Sequence, residues 1–384
     1  MSINQLKNPD FKFRQLELDR IIHAWEHGQS VLLTGIRRTG KSEVLKAALV
    51  RHAENGGSVG FLDVSDYVTL QSFYCDLLSQ MPDTIWEKLT DALSEVKNVP
   101  DRLVGWFRNH VKQVGIAGTT MDFNPSDDAL PRYWQPVVEK LQQVLGQYDR
   151  LDLPVIGIDE LPFMLENLLQ REVVSSELTI MLASLRKLRD AGLRLIIAGS
   201  ISMENLLTLN SIPHTVLGGL VREVIPPFTR EEACIYLKSR LAGTAADSDQ
   251  AVALVLDRLP DYIPEFLNIA EGHVRHCADI VVCQEALRQS VLPAIRRSFL
   301  TQFNERLDKN YLPAELPIVE QILDSLARAD SSGGRLDGSG LASGYRHVLL
   351  KLQYDNFLTE GDDFDWRFSL ELLRQWWRAN RGLQ

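Results

Sequence analysis

Residues 30–42 read SVLLTGIRRTGKS. Val31, Leu32 and Leu33 form a short apolar run with the character of a buried strand. From Gly35 to Ser42 the chain spells G-x-x-x-x-G-K-S, and EVLKAALVRH continues with helical spacing. Strand, glycine loop and helix follow in the order that a phosphate-binding loop requires. Glycines let backbone N–H groups turn inward on phosphate oxygens, at the positive end of the following helix. Lys41 is expected to reach the β- and γ-phosphates, and the Ser42 hydroxyl to be a ligand of Mg2+. The flanking strand and helix argue against an ordinary glycine turn. The implied ligand is a nucleoside triphosphate.

Upstream, residues 11–28 place Leu16, Leu18, Ile21, Ile22 and Trp25 on one helical face, with Gly28 as a stop. Downstream, VGFLDV (59–64) reads as a second strand. Residues 69–113 look helical, 115–129 are turn-rich with room for a small hairpin, and 132–148 form an amphipathic helix. An insertion of helical character therefore occupies about residues 65–150 before the next buried strand.

That strand is LPVIGIDE (153–160), an apolar run ending in adjacent carboxylates, as a nucleotide-binding sheet needs at a strand's C-terminal edge. Asp159 is expected in the Mg2+ shell, through water. Glu160 would orient and deprotonate the attacking water. A surface Asp-Glu at a strand end is the plain alternative, and the upstream loop argues for function. Helices fill 161–190, with a break at Ser175-Ser176, and LRLIIAGS (193–200) supplies a third buried strand. Ser200, just past its end, is placed to sense the γ-phosphate or the attacking water. A short strand at 223–225 precedes Pro226-Pro227.

From Phe228 the pattern turns helical, as a lid ending near Asn310, with Thr229 and Glu232 spaced as a capping box. The C-terminal part has a helix at 318–326, a loop at 330–340, a second helix running into a strand, a hairpin tip at 361–365, and a last helix at 370–379. Helix, helix, hairpin and helix resemble a winged-helix unit. The expected domains are a core at 1–227, a helical lid at 228–310 and a winged-helix-like domain at 311–384.

The 384 residues are 45% apolar and 24% charged, as in an ordinary globular protein. No apolar run approaches a membrane span, and the start MSINQLKNPDFKF lacks a signal-peptide core. The four cysteines form no C-x-x-C and suggest no disulfide framework, so a cytoplasmic location is expected. A net charge of −10 argues against coating nucleic acid through global charge.

These pieces together resemble the archaeal-type ATPases of the STAND branch of P-loop NTPases, close kin of AAA+ proteins. The matching residues are FKFRQLEL (11–18), GIRRTGKS (35–42), IDELP (158–162), IAGS-ISM (197–203) and PFTREEACIYL (227–237). DYIPEFL (261–267) resembles the family's lid motif without its preceding glycines. The resemblance implies an α/β fold, a P-loop NTPase parallel sheet with helical lid and C-terminal winged helix. It implies ATP with Mg2+ as cofactors, held by Gly35, Arg37, Arg38, Thr39, Gly40, Lys41, Ser42 and Glu43, with Pro264 near the adenine. Ser200 then corresponds to the family's sensor-1 polar residue. Members switch conformation or assembly with ATP, commonly as homo-oligomers and with DNA or a partner protein.

Other constellations have plainer readings. Arg37 and Arg38 either contact phosphates or pair with neighbouring carboxylates. Arg186, Arg189, Arg194 and Arg222 are the candidates for an arginine finger reaching a neighbouring subunit. His273, His276, Cys277 and Cys283 do not converge on one tetrahedron and read as buried thiols and surface histidines. In the C-terminal module the candidate recognition helix offers Arg346, His347 and Lys351, against an acidic wing of Glu360, Asp362, Asp363 and Asp365. Residues 311–384 hold eight Lys or Arg against eleven Asp or Glu. Arg374, Arg378 and Arg381 with Trp376 and Trp377 make a more basic end. DNA binding and protein docking both stay open, as do an ATP-hydrolysing switch, a nucleotide-gated binder with little hydrolysis, and an ATP-responsive DNA-binding regulator.

Overall fold

The computed structural model describes residues 3–8, 13–96, 101, 103–105, 107, 129–199, 202–328, 343–361 and 365–383. The turn-rich stretch 115–128, Ser200, the loop 330–340, Asp362 and Asp363 lie outside the described residues. Two compact units are present: Met1–Thr34 with Lys41–Val224, and Gly35–Gly40 with Ile225–Gln384.

The first unit is built on five parallel strands: β1 (Ser30–Thr34), β2 (Val59–Asp63), β3 (Val155–Asp159), β4 (Arg194–Ile197) and β5 (Leu220–Val224). They lie in the AAA+-like order β2-β3-β4-β1-β5, so β4 sits between the strand feeding the loop and the strand carrying Asp159. Every residue of β3 and β4 is buried, as a parallel sheet covered on both faces demands. Gly157 explains how closely one layer approaches. A Cβ there would stand 2.7 Å from Leu45 Cδ2 and 2.8 Å from Leu49 Cδ1, so its absence lets helix Lys41–Glu54 rest on β3. The expected strand at 223–225 begins earlier, at Leu220, and pairs with β1 along its length. As the sheet's edge it carries Arg222, which parts Leu220 and Val221 from the expected stretch.

The insertion is helical where described, with helices Leu70–Ser79, Asp83–Ser94 and Trp134–Leu145. Tyr74 stacks on Trp134 at 3.8 Å between ring centroids, and Trp86 meets Phe107 at 5.1 Å. These aromatics share one apolar core with the sheet.

The second unit contains helices Arg230–Leu241, Asp249–Arg258, Pro264–Val274 and Ile280–Ala286, a π-helical turn at Leu287–Val291, and helix Leu292–Asn310. The capping box forms as expected: Thr229 N–H donates to Glu232 Oε2 at 2.8 Å, and Glu232 N–H donates to Thr229 Oγ1 at 3.2 Å. Helices Leu316–Arg328 and Ser343–Tyr354, an antiparallel hairpin of β6 (Leu358–Glu360) and β7 (Trp366–Phe368), and helix Glu371–Arg381 follow in winged-helix order. All of these share one core. Phe266, Phe299, Phe303 and Phe357 form a ladder with successive centroid spacings of 5.0, 5.3 and 5.1 Å.

Polar ties also join residues 230–310 to residues 311–384. Asn310 Nδ2 donates to both oxygens of Asp355 at 3.0 and 3.1 Å, and Arg306 donates to the Asp355 carbonyl at 2.8 Å. Asp261 accepts the N–H of Glu371 on Oδ1 at 3.0 Å and that of Leu372 on Oδ2 at 2.8 Å. Burial pushes the Asp261 carboxyl up to about 6, with the two N–H donors pulling the other way.

The C-terminal cations are placed differently from their expected roles. Lys351 is buried and pairs with Glu315 at 2.7 Å, so it does not project from the helix surface. Arg374 pairs with Glu371 at 2.7 Å, and Arg381 with Glu320 and Asp324 at 3.1 and 3.4 Å. Trp377 is buried and donates to Asp324 at 2.8 Å. Acidic neighbours thus offset much of the basic end.

Candidate active site

Between β1 and helix Lys41–Glu54 the chain makes its G-x-x-x-x-G-K-S loop with three positive-φ residues: Gly35 (126°), Arg38 (69°) and Gly40 (94°). Three left-handed residues within six fold the backbone tightly between strand and helix. Thr39 is buried and its hydroxyl donates to the Ile36 carbonyl at 2.9 Å, pinning the turn. Gly35 has no substitute. Its φ is one that side chains rarely adopt, and a Cβ would lie 2.6 Å from the Ile225 carbonyl oxygen. Gly35→Ala is therefore expected to destabilise the protein by about 1–3 kcal/mol, read as a lower denaturation midpoint.

Lys41 is the first residue of its helix and only 6% exposed. Ser42 follows, near enough to Asp159 for its hydroxyl to favour the charged form of that carboxylate. Asp159 closes β3 and is 4% exposed. Burial raises its pKa above the ordinary carboxylate range. The Ser42 hydroxyl and the Lys46 charge oppose the rise, and the charges of Glu160 and Asp63 add to it. A hydroxyl and a buried carboxylate near each other at a helix N-terminus are hard oxygen donors of the type that Mg2+ prefers.

Glu160 is half-buried and adopts a left-handed conformation, φ 60° and ψ 29°, as the residue leading into helix Leu161–Gln170. Its N–H donates to Asp159 Oδ1 at 3.1 Å, so the two carboxylate-bearing residues are locked as a pair. A non-glycine residue held there costs about 1–3 kcal/mol. Such strain collects where a side chain must be aimed.

Two neighbours escaped the sequence reading. Asp63 ends β2 in register with Asp159, and Lys46 lies one helical turn beyond Ser42. Asp63 had a signal: VGFLD ends in a carboxylate just as VIGID does. Among the remaining expected residues, Glu43 is half-buried and accepts from Asn8 Nδ2 at 2.5 Å, while Arg37 is exposed. Within the second unit, Arg38 lies 3.7 Å from Glu265, beside Pro264 at the start of helix Pro264–Val274.

The four arginine-finger candidates separate by burial. Arg194 is 1% exposed and donates to the carbonyls of Leu153, Leu151 and Trp25, a structural role. Arg189 is buried and donates to the Val216 carbonyl at 3.1 Å. Arg186 and Arg222 are about half exposed, the latter 2.8 Å from Glu204. Among the described residues no group of three His, Cys, Asp or Glu side chains could hold a metal. Cys277 and Cys283 are buried thiols. No described helix is long and apolar enough to cross a membrane.

No protein-family model matches the chain, and no curated protein matches it. Several solved structures are similar. The ORC2 protein of Aeropyrum pernix in its ADP form is 12% identical, covering 98% of this chain and 95% of its own, with a TM-score of 0.49. Domain III of the Thermotoga maritima replication initiation protein DnaA is 13% identical over 76% of this chain and 98% of its own, with a TM-score of 0.38. AMPPCP-bound DnaA from Aquifex aeolicus is 10% identical over 91% of both chains, with a TM-score of 0.32. These scores lie below 0.5, and it is the strand order β2-β3-β4-β1-β5 that defines the fold.

Proposed function

We propose that this chain is an AAA+-like ATPase that binds ATP with Mg2+, hydrolyses it, and uses the cycle as a conformational or assembly switch. The observation that carries this reading is the nearness of Ser42, second residue of the helix after the loop, to the buried Asp159 carboxylate, whose charged form its hydroxyl favours. It brings together two groups that stand 117 positions apart in the chain, and a phosphate-free turn would have no use for their pairing.

In this reading the loop N–H groups and the Lys41 ammonium hold the β- and γ-phosphates. Ser42 and Asp159 would hold Mg2+, which when bound would neutralise charge on the phosphoryl oxygens. Glu160 orients a water and takes its proton as the water oxygen bonds to the γ-phosphorus. The bond to the β-phosphate oxygen breaks, and ADP and phosphate leave. Ser200 is assigned to the γ-phosphate or the attacking water because it follows β4, the strand between β1 and β3. Pro264 is assigned to the base.

For the partner, the C-terminal module fits protein better than DNA. Lys351, Arg374 and Arg381 are each bound to a carboxylate, so displaced counterions would offer little binding energy. Self-assembly belongs to the same reading. Arg186 and Arg222 are the exposed members of the finger set.

The test is ATP titration of the full chain with Mg2+ and with a chelator. Wild type should bind more tightly with Mg2+, and Asp159→Asn should lose about 10–100-fold of metal affinity while still binding metal-free ATP. Equal ATP affinity of the wild-type chain with and without Mg2+ would sink the metal assignment.

A further inference from the structure

The second unit contains a short stretch that touches the phosphate loop at one end and the last helix at the other. Helix Glu371–Arg381 begins after Leu370, which offers no side-chain acceptor to the helix's first N–H groups. Those donors need a partner. Asp261, 110 residues upstream, supplies it with one carboxylate oxygen for Glu371 N–H and the other for Leu372 N–H. Four residues on, Glu265 lies 3.7 Å from Arg38 of the loop.

The segment joining these two ends is stiff. Tyr262 accepts the Phe228 N–H on its carbonyl at 2.9 Å, and its hydroxyl donates to the Leu256 carbonyl at 3.1 Å. Ile263 is fully buried, and Pro264 is locked in φ by its ring. On the loop side, Ile36 is buried in the same core as Ile263, Phe266 and Leu267. A displacement of loop residues 35–40 therefore bears on a segment with little freedom to absorb it.

We propose that residues 261–265 are a mechanical link from the phosphate loop to the C-terminal helix, with Asp261 as its coupling residue. The link rests on the nucleotide reading above only for what moves the loop. An ordinary long-range cap would stabilise helix 371–381 equally whether or not the loop is filled. A link makes the cap respond to the loop.

Hydrogen exchange over residues 369–373 distinguishes the two in the full-length protein. Asp261→Ala should speed basal exchange there about fivefold, the effect of a lost cap. In wild type, ATP should change that exchange. In Asp261→Ala, ATP should still bind but the change should vanish, and Asp261→Asn, which keeps one acceptor in its amide carbonyl oxygen, should restore part of it. The Asn variant also decides the matter if the Ala variant does not fold. The proposal is overturned if ATP binds to wild type without altering exchange at 369–373, or if the response persists in both variants. Should ATP fail to bind wild type, the nucleotide reading falls. The link is then decided by Arg38→Ala: altered exchange at 369–373 supports it, and unaltered exchange overturns it.

Discussion

Glu160→Gln is expected to leave ATP binding intact while lowering turnover about 10²–10⁴-fold, the range for a lost general base, or about 3–5 kcal/mol in the barrier. Gln matches Glu in shape and keeps the backbone N–H that donates to Asp159, so the left-handed conformation at this position is retained. What it loses is the capacity to take a proton. Single-turnover hydrolysis measured beside equilibrium binding separates the two effects. A companion variant isolates the strain. Glu160→Gly, at φ 60°, should raise stability by about 1 kcal/mol while remaining inactive. A chain that is more stable and inactive would show that the strained conformation serves the aim of the side chain. If Glu160→Gln turns over at the wild-type rate, the base lies elsewhere, and Asp63 on the neighbouring strand is the next carboxylate to examine.

Lys41→Ala is expected to abolish nucleotide binding at ordinary concentrations. Lys41 is buried at the start of its helix, so its ammonium would meet phosphate oxygens largely out of water. Removing one partner of a desolvated charge pair costs about 2–5 kcal/mol, which is roughly 30- to 4,000-fold in Kd. Calorimetric titration with ATP and Mg2+ measures this directly. Lys41→Arg should not rescue, because a planar fork does not replace a compact point charge within a tight loop. ATP affinity in Lys41→Ala equal to that of wild type would remove the loop from the phosphate site.

What could be read from the sequence was what local pattern encodes. β1, β3 and β4 are covered on both faces, so Val31–Leu33, Val155–Ile158 and Leu195–Ile197 appear as uninterrupted apolar runs. The loop, the Asp159-Glu160 pair and the Thr229 capping box depend on near neighbours and were legible for the same reason. β5 reads short because Arg222 separates Leu220 and Val221 from the expected stretch at 223–225. Asp63 has a local sign in the carboxylate that ends VGFLD, but its register against Asp159 is set between strands distant in sequence. The same blindness applies to Arg194 and Lys351. Nothing near Arg194 in sequence announces that the carbonyls of Trp25, Leu151 and Leu153 will gather around it. Nor does a helix bearing Arg346, His347 and Lys351 reveal that the lysine turns inward to Glu315. Burial of a cation is decided by what the rest of the chain brings to it.

The phenylalanine ladder from Phe266 to Phe357 carries a consequence for how the second unit folds. Because the ladder, the Asn310–Asp355 bonds and the Asp261 cap all cross the junction near residue 310, helices 230–310 and the winged-helix region cannot complete their interiors separately. They are expected to unfold as one cooperative block, giving a single transition for residues 225–384 in calorimetry of the full chain. A chain cut after Asn310 would strip Phe303 of its contact with Phe357 and leave the Asp261 carboxylate without its two donors, inviting aggregation. Cleaving this molecule at its apparent module boundary would break a folding unit in two.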